Sequence, residues 1–322
     1  MSFSFDTKNE LCKLAVQRLC CARAEAYGIL LYCNTFNSTE VRIITENPYF
    51  AARLPRLFHR AFGLRFDRQP DQELIRAAEK GAAEPGESSG VGKMVFQITE
   101  QQKLDHIINL LGYDPRQNFV LHINFGMLED ECCRSAFLRG IFFAGGSITD
   151  PLKRYHLELT TSHGQVSREL DALLRDCGYP PKSVSRSGGF VTYFKQSDQI
   201  EDFLTMIGAP VAAMKIMSAK LEKDLRNSVN RRLNCDSANL DKAVEAAQEQ
   251  LEAIRKLDAA GILEKMPEKL RQTAQLRIHH PELTLSELAG EFDPPVTKSC
   301  LNHRLRKLVE TAKTVKNENL HI

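Results

Sequence analysis

An internal duplication limits what the first two thirds of this 322-residue chain can fold into. Written from two adjacent cysteine pairs, CCARAEAYGI (Cys20 to Ile29) and CCRSAFLRGI (Cys132 to Ile141) agree at five of ten positions, each residue matching the one 112 places later. The surrounding pattern repeats too. After each stretch comes an alternating run (STEVRIITE, then RYHLELTTS), a helical stretch (YFAARLPRLFHRAFG, then QVSRELDALLRDCG) and two further strand-like runs. An amphipathic helix ending in glycine closes each half (EQQKLDHIINLLG, then DQIEDFLTMIG). Both halves therefore read α-β-β-α-β-β-α, and the fold class is α+β. The first half is longer by PDQELIRAAEKGAAEPGESSGVG, which predicts a surface excursion with one helical turn.

Glycine inside a helix costs roughly 0.5–1 kcal/mol against alanine, so Gly28 and Gly140 at matching places need a reason. Ala24 and Gly28 lie four residues apart, as do Ala136, Gly140 and Ala144, which puts a small-residue stripe on one face of each helix. Two such helices can cross more closely than the usual distance of about 8–10 Å and join the halves about a pseudo-twofold axis.

LRGIFFAGGSI resembles the LAGLIDADG helix of homing endonucleases, and the duplicated unit is similar to the fold of their single-chain members. In that family an acid at the eighth motif position of each repeat binds the divalent metals that cut DNA. The matching positions here are Gly145 and Cys33. Phosphodiester cleavage by this route needs hard oxygen ligands converging on Mg²⁺; glycine has no side chain and a thiol prefers softer metals. The reading is therefore a nuclease scaffold with no catalytic residues. Asp150, the nearest acid downstream, falls past the helix end, and its counterpart is Ser38.

The nine cysteines contain no C-x-x-C pair, and the adjacent pairs have a spacing poor for zinc. They read as reduced, mostly buried thiols, and neither a metal site nor a cofactor is expected. No apolar run reaches the roughly 20 residues of a bilayer span, and MSFSFDTKNELCKLAV has no basic start followed by an apolar block. A cytoplasmic, nucleoid-associated protein with no membrane partner is expected.

The net charge of +2 conceals a division: residues 1–211 hold 24 Lys and Arg against 25 Asp and Glu, whereas residues 212–322 hold 19 against 16. From Ala209 the pattern is long-helical, PVAAMKIMSAKLEKDLRNSVNRRLNCD followed by SANLDKAVEAAQEQLEAIRKLDAAG, with Ser237 as the N-cap candidate and Gly261 as the stop candidate. This predicts a helical linker arm over 212–262 and an all-α domain over 263–322. In that domain Thr284 with Glu287 makes a capping box, DPP breaks the chain, and a longer helix starts near Thr297. Leu301, Leu305, Leu308 and Ala312 form its apolar stripe, and Ser299, Asn302, His303 and Arg306 project from the other face.

Helix, tight turn and second helix, over about 283–310, make a helix-turn-helix. Asn302 can pair two-pronged with adenine and Arg306 with guanine, while Lys298, Arg304 and Lys307 suit phosphates, and Arg231 and Arg232 on the arm add a second basic cluster. A LAGLIDADG-like duplication over 1–211 (repeats about 6–112 and 130–208) followed by a helix-turn-helix resembles the WhiA family of bacterial sporulation and cell-division regulators. The most specific pieces are FLRGIFFAGGSITDP, NRRLNCDSANLDK and PPVTKSCLNHRLRKL. The resemblance implies a catalytically dead nuclease-like domain, binding to double-stranded promoter DNA, a role in division or chromosome segregation, and contact with other transcription or division proteins. Two other readings stay open: a metal-dependent DNA endonuclease, and a docking protein for the division or segregation machinery.

Overall fold

The computed structural model describes residues 2–16, 18–83, 92–113 and 120–315, and the chain divides into two compact units, Met1–Lys223 and Asp224–Ile322. In the first unit, α1 (Phe3–Cys12), N-capped by Ser2, precedes the first repeat. That repeat runs α2 (Leu19–Tyr32), β1 (Thr35–Phe36), β2 (Val41–Thr45), α3 (Pro48–Phe62), α4 (Gln72–Ala83), β3 (Met94–Ile98) and α5 (Gln101–Leu110). The second runs α6 (Glu131–Gly145), β4 (Gly146–Ile148), β5 (Leu157–Thr161), α7 (Gly164–Asp176), β6 (Lys182–Arg186), β7 (Gly189–Phe194) and α8 (Ser197–Ile207).

The second repeat has the expected α-β-β-α-β-β-α order and an antiparallel sheet β4-β5-β7-β6. The first departs from it in two ways. Its described sheet is three-stranded, β1-β2-β3, and the place of the missing strand is held by a single bridge between Arg68 and Gln97. Pro70, two residues on, has no N–H to extend that pairing. Secondly, the polar excursion carries the 12-residue helix α4 rather than one turn. QELIRAAEK is made of strong helix formers, and Ile75 is buried. Residues 84–91 of that excursion lie outside the described residues.

At the centre α2 and α6 run side by side in the same direction, residue matched to residue across the repeat. Ala24, Ile29, Leu30, Ala136, Phe137 and Ile141 are all buried there. A β-carbon on Gly28 would lie 2.2 Å from the Phe137 carbonyl oxygen, and one on Gly140 would lie 2.1 Å from that of Glu25. No side chain of any size fits at either place. Glu25, 1% exposed, sits within this seam and accepts from Arg53 of α3 (Nε–Oε1 2.6 Å, Nη2–Oε2 3.0 Å) and from Arg139 of α6 (Nε–Oε2 2.8 Å). Burial of these charges is tolerable because the guanidiniums also donate to backbone carbonyls, Arg53 to Cys12 and Leu14 and Arg139 to Ile207.

The arm is one continuous helix, α9 (Pro210–Ala259), of 50 residues. The expected break at Ser237 is absent: the stretch from Val211 to Ala259 has no glycine or proline, and a serine inside a helix costs too little to end it. The Glu10 carboxylate of α1 accepts from Val211 and Ala212 N–H at 2.7 and 2.9 Å and so caps the start of α9. Ala212, Ala213 and Ile216 belong to the first core, and Ala253, Ile254 and Leu257 to the second. Between them Leu225, Val229 and Leu233 are exposed, as suits an arm. Gly261, at φ 64°, then allows the left-handed turn past the helix end.

The second unit continues with α10 (Glu268–His279), α11 (Leu285–Gly290) and α12 (Lys298–Thr314), which close a core of Leu270, Ala274, Leu288, Leu301, Leu305 and Leu308. Among the described residues no helix is long and apolar enough to cross a membrane. The cysteines are all free, but the expectation that most are buried fails: only Cys133 is buried, and Cys20, Cys235 and Cys300 are exposed.

Candidate nucleic-acid interface

The helix-turn-helix forms as its local signals dictate. Thr284 Oγ1 accepts from Glu287 N–H while the Glu287 carboxylate accepts from Thr284 N–H at 2.9 Å, completing the capping box that opens α11. Hydrogen bonding in that box holds the Glu287 carboxyl below the usual carboxylate range. The connecting turn is tied down by Val296 N–H donating to the Ala289 carbonyl at 3.0 Å. Thr297 then caps α12 by accepting from Cys300 N–H.

On α12, Leu301, Leu305, Leu308 and Ala312 are buried, so the 3.6-residue period sets the rest of the helix outward. Ser299, Asn302, His303 and Arg306 are all exposed, as are Lys298 and Lys307. Arg304 differs: it is half-buried, with its guanidinium 5.4 Å from the Phe292 ring. Under the helix, Arg277 is 2% exposed and spends its guanidinium on Gln250 Oε1 (3.0 Å) and the Leu283 carbonyl (2.7 Å), which joins α9, α10 and the start of α11. Arg231 and Arg232 are exposed on α9, about 27 Å along the helix before Gln250 at 1.5 Å per residue.

The acid positions of the paired helices look quite different. Cys33, half-buried just past α2, donates its thiol to the Leu30 and Thr35 carbonyls, each at 3.2 Å, and exclusion of water from around its sulfur pushes the thiol pKa up to about 12. At Gly145 a β-carbon would lie 2.5 Å from the Thr160 carbonyl oxygen and 2.6 Å from Tyr32 Cδ1. Asp150 is committed to a local turn, accepting from Leu152 N–H at 2.9 Å. Beside these helix ends is a cleft of about 430 Å³ whose described lining includes Lys8, Asn34, Glu46, Lys93 and Phe143. It offers one carboxylate and two ammonium groups, the reverse of what a pair of Mg²⁺ ions requires.

Residues 134–226 match the model of the WhiA LAGLIDADG-like domain, and residues 229–312 match that of the WhiA C-terminal HTH domain. The probable cell division protein WhiA of Ruminiclostridium cellulolyticum is 35% identical over 326 residues, covering 99% of both chains. That of Macrococcus caseolyticus is 33% identical over 98% of both. This chain belongs to the WhiA family. The crystal structure of full-length WhiA from Thermatoga maritima has the same fold, with a TM-score of 0.57 at 21% identity, covering 98% of this chain and 100% of that one.

Two constellations of this WhiA-family chain escaped the sequence. The Glu25–Arg53–Arg139 triad joins residues of three helices, and nothing local marks them as partners. The other is a group of thiols: Cys20, Cys21, Cys132 and Cys133 stand with every Sγ within 4.8 Å of the others. Spacing along the chain argued against a metal here, because each pair alone is too close in sequence to make half a usual zinc site. The signal that could have found it was the duplication, since residues 112 apart face one another across the helix seam.

Proposed function

We propose that this chain is a sequence-specific DNA-binding regulator of transcription that acts in cell division and chromosome segregation, with α12 as its recognition helix and no nuclease activity. The observation that carries the reading is the exposed stripe Ser299, Asn302, His303 and Arg306, set opposite a fully buried leucine stripe on a capped helix-turn-helix. These are the side chains that read base edges in the major groove, with Lys298 and Lys307 beside them for phosphates. The name of its relatives supports the division role, and the family resemblance supports promoter DNA as the partner, a sporulation role in spore-forming hosts and a nucleoid location.

The absence of nuclease activity is supported at both former metal positions. Cys33 holds a thiol turned to backbone carbonyls, and Gly145 has no room for a carboxylate. Chromatin immunoprecipitation with sequencing from the native bacterium, followed by anisotropy titrations on the recovered sites, tests the proposal. Enrichment of discrete promoters that the Asn302→Ala variant loses is the expected result. Uniform low enrichment across the chromosome, unchanged by that substitution, would refute sequence reading by α12.

A further inference from the structure

Cys20 and Cys21 open α2, and Cys132 and Cys133 open α6. The parallel seam sets the pairs against each other, so that the four Sγ atoms lie within 4.8 Å of one another, Cys20 and Cys21 at 4.0 Å. We infer that these thiols form a Cys₄ zinc site that fastens the two repeats together at the opposite end of the helices from Cys33 and Gly145.

Four sulfur ligands select a soft tetrahedral ion, zinc or iron in an iron–sulfur cluster. With Zn–S bonds of about 2.3 Å, a tetrahedron places its sulfurs about 3.8 Å apart. The observed separations, 4.0 Å between Cys20 and Cys21 and none above 4.8 Å, exceed that value by no more than about 1 Å. An iron–sulfur cube attaches each cysteine to a different iron and inserts its own core between them, so it needs sulfurs set wider than these. Neighbouring residues on a helix project about 100° apart, so each pair can hold the ion from its own side. The duplication then supplies the other half of the tetrahedron.

Two features of the place favour thiolates, against the opposing charge of Asp130 beside Cys132. On binding, each thiol gives its proton to solvent, and the ion with four thiolates carries a double negative charge. The N-termini of α2 and α6 both point their free N–H groups toward this end, where the helix dipole favours negative charge. Arg18 Nη1 lies 3.8 Å from Cys132 Sγ. Cys20 is exposed and Cys133 buried, so the cluster has both an entry path and a base seated in the protein.

Elemental analysis of the full-length chain, purified in reducing buffer and dialysed, should find one zinc per chain. Cobalt exchange should give the intense sulfur-to-cobalt charge-transfer and tetrahedral d–d bands of a Co(II)–thiolate centre. Cys20→Ser and Cys132→Ser should each abolish both signals, while Cys235→Ser, at an exposed thiol on α9, should retain them. The cobalt spectrum of the unaltered chain keeps the test decisive if a variant fails to fold. No metal uptake after zinc addition would overturn the assignment, as would equal loss in Cys235→Ser, iron with inorganic sulfide in place of zinc, or a disulfide joining the two cysteine pairs.

Discussion

Gly28 and Gly140 each turn their α-carbon onto the backbone of the other's helix, Gly28 against the Phe137 carbonyl and Gly140 against that of Glu25. The two contacts are the same contact repeated, because Phe137 is the duplicate of Glu25 and Gly140 that of Gly28. The duplication read from the chain is thus a geometric twofold at the atomic level.

Alanine at either glycine forces the helices apart. Gly28→Ala and Gly140→Ala should each cost about 1–3 kcal/mol or more, the usual penalty for overpacking, and the pair together should prevent folding of the first unit. Chemical denaturation measures this. Gly188→Ala, where a β-carbon meets open space, should change little.

The buried triad makes Glu25 more costly to lose than any exposed acid. Glu25→Gln leaves Arg53 and Arg139 facing each other without a counter-charge and should destabilise by about 3–5 kcal/mol. Glu245→Gln, exposed on α9, is the comparison and should stay within about 0.5 kcal/mol.

Reinstating acids will not reinstate cleavage. Cys33→Asp with Gly145→Asp should show no Mg²⁺- or Mn²⁺-dependent nicking of plasmid, and the Asp at 145 should lower the melting temperature because it collides with the Thr160 carbonyl and Tyr32. Metal-dependent nicking that appears with the double variant and vanishes with either single one would contradict this.

Stability should carry a signature of Lys8. Its ammonium donates to the Phe143 carbonyl at 3.0 Å, and burial lowers its pKa from 10.5 to about 8. The unfolded chain therefore holds this proton more tightly than the folded one, and between about pH 8 and 10.5 unfolding takes up a proton. The contribution of Lys8 is unfavourable below pH 8 and that penalty is relieved as the pH rises through the window. Relative to Lys8→Met, the wild-type chain should gain stability from pH 8 to 10; a constant difference would remove the burial argument.

On α12, Asn302→Ala and Arg306→Ala should reduce the preference for a cognate site by about 1–3 kcal/mol, whereas Lys307→Ala should weaken binding to all sequences and lower the salt slope by about one unit. Competition titrations at several salt concentrations separate the two. Equal losses on specific and random duplex for all three variants would mean that α12 grips only the backbone.

The sequence by itself determined whatever depends on neighbours along the chain or on exact repetition. The capping box at Thr284 and Glu287, the leucine stripe of α12 and the small-residue faces of α2 and α6 are periodic or local, so each is legible along the chain alone. Tertiary structure decided what depends on which distant residues meet. In the first repeat Arg68 makes a lone bridge where the second repeat has a strand, and α4 grows to 12 residues because α3 gives Ile75 a surface to bury against. Ser237 was a fair cap candidate by residue type, yet with no breaker around it α9 runs through. The thiols show the same limit most clearly: four cysteines in two adjacent pairs are unremarkable along the chain. Only the packing of two glycine-bearing helices at close range carries Cys20 and Cys21 up to Cys132 and Cys133, because side-chain chemistry acts over ångströms in space and not over positions in sequence.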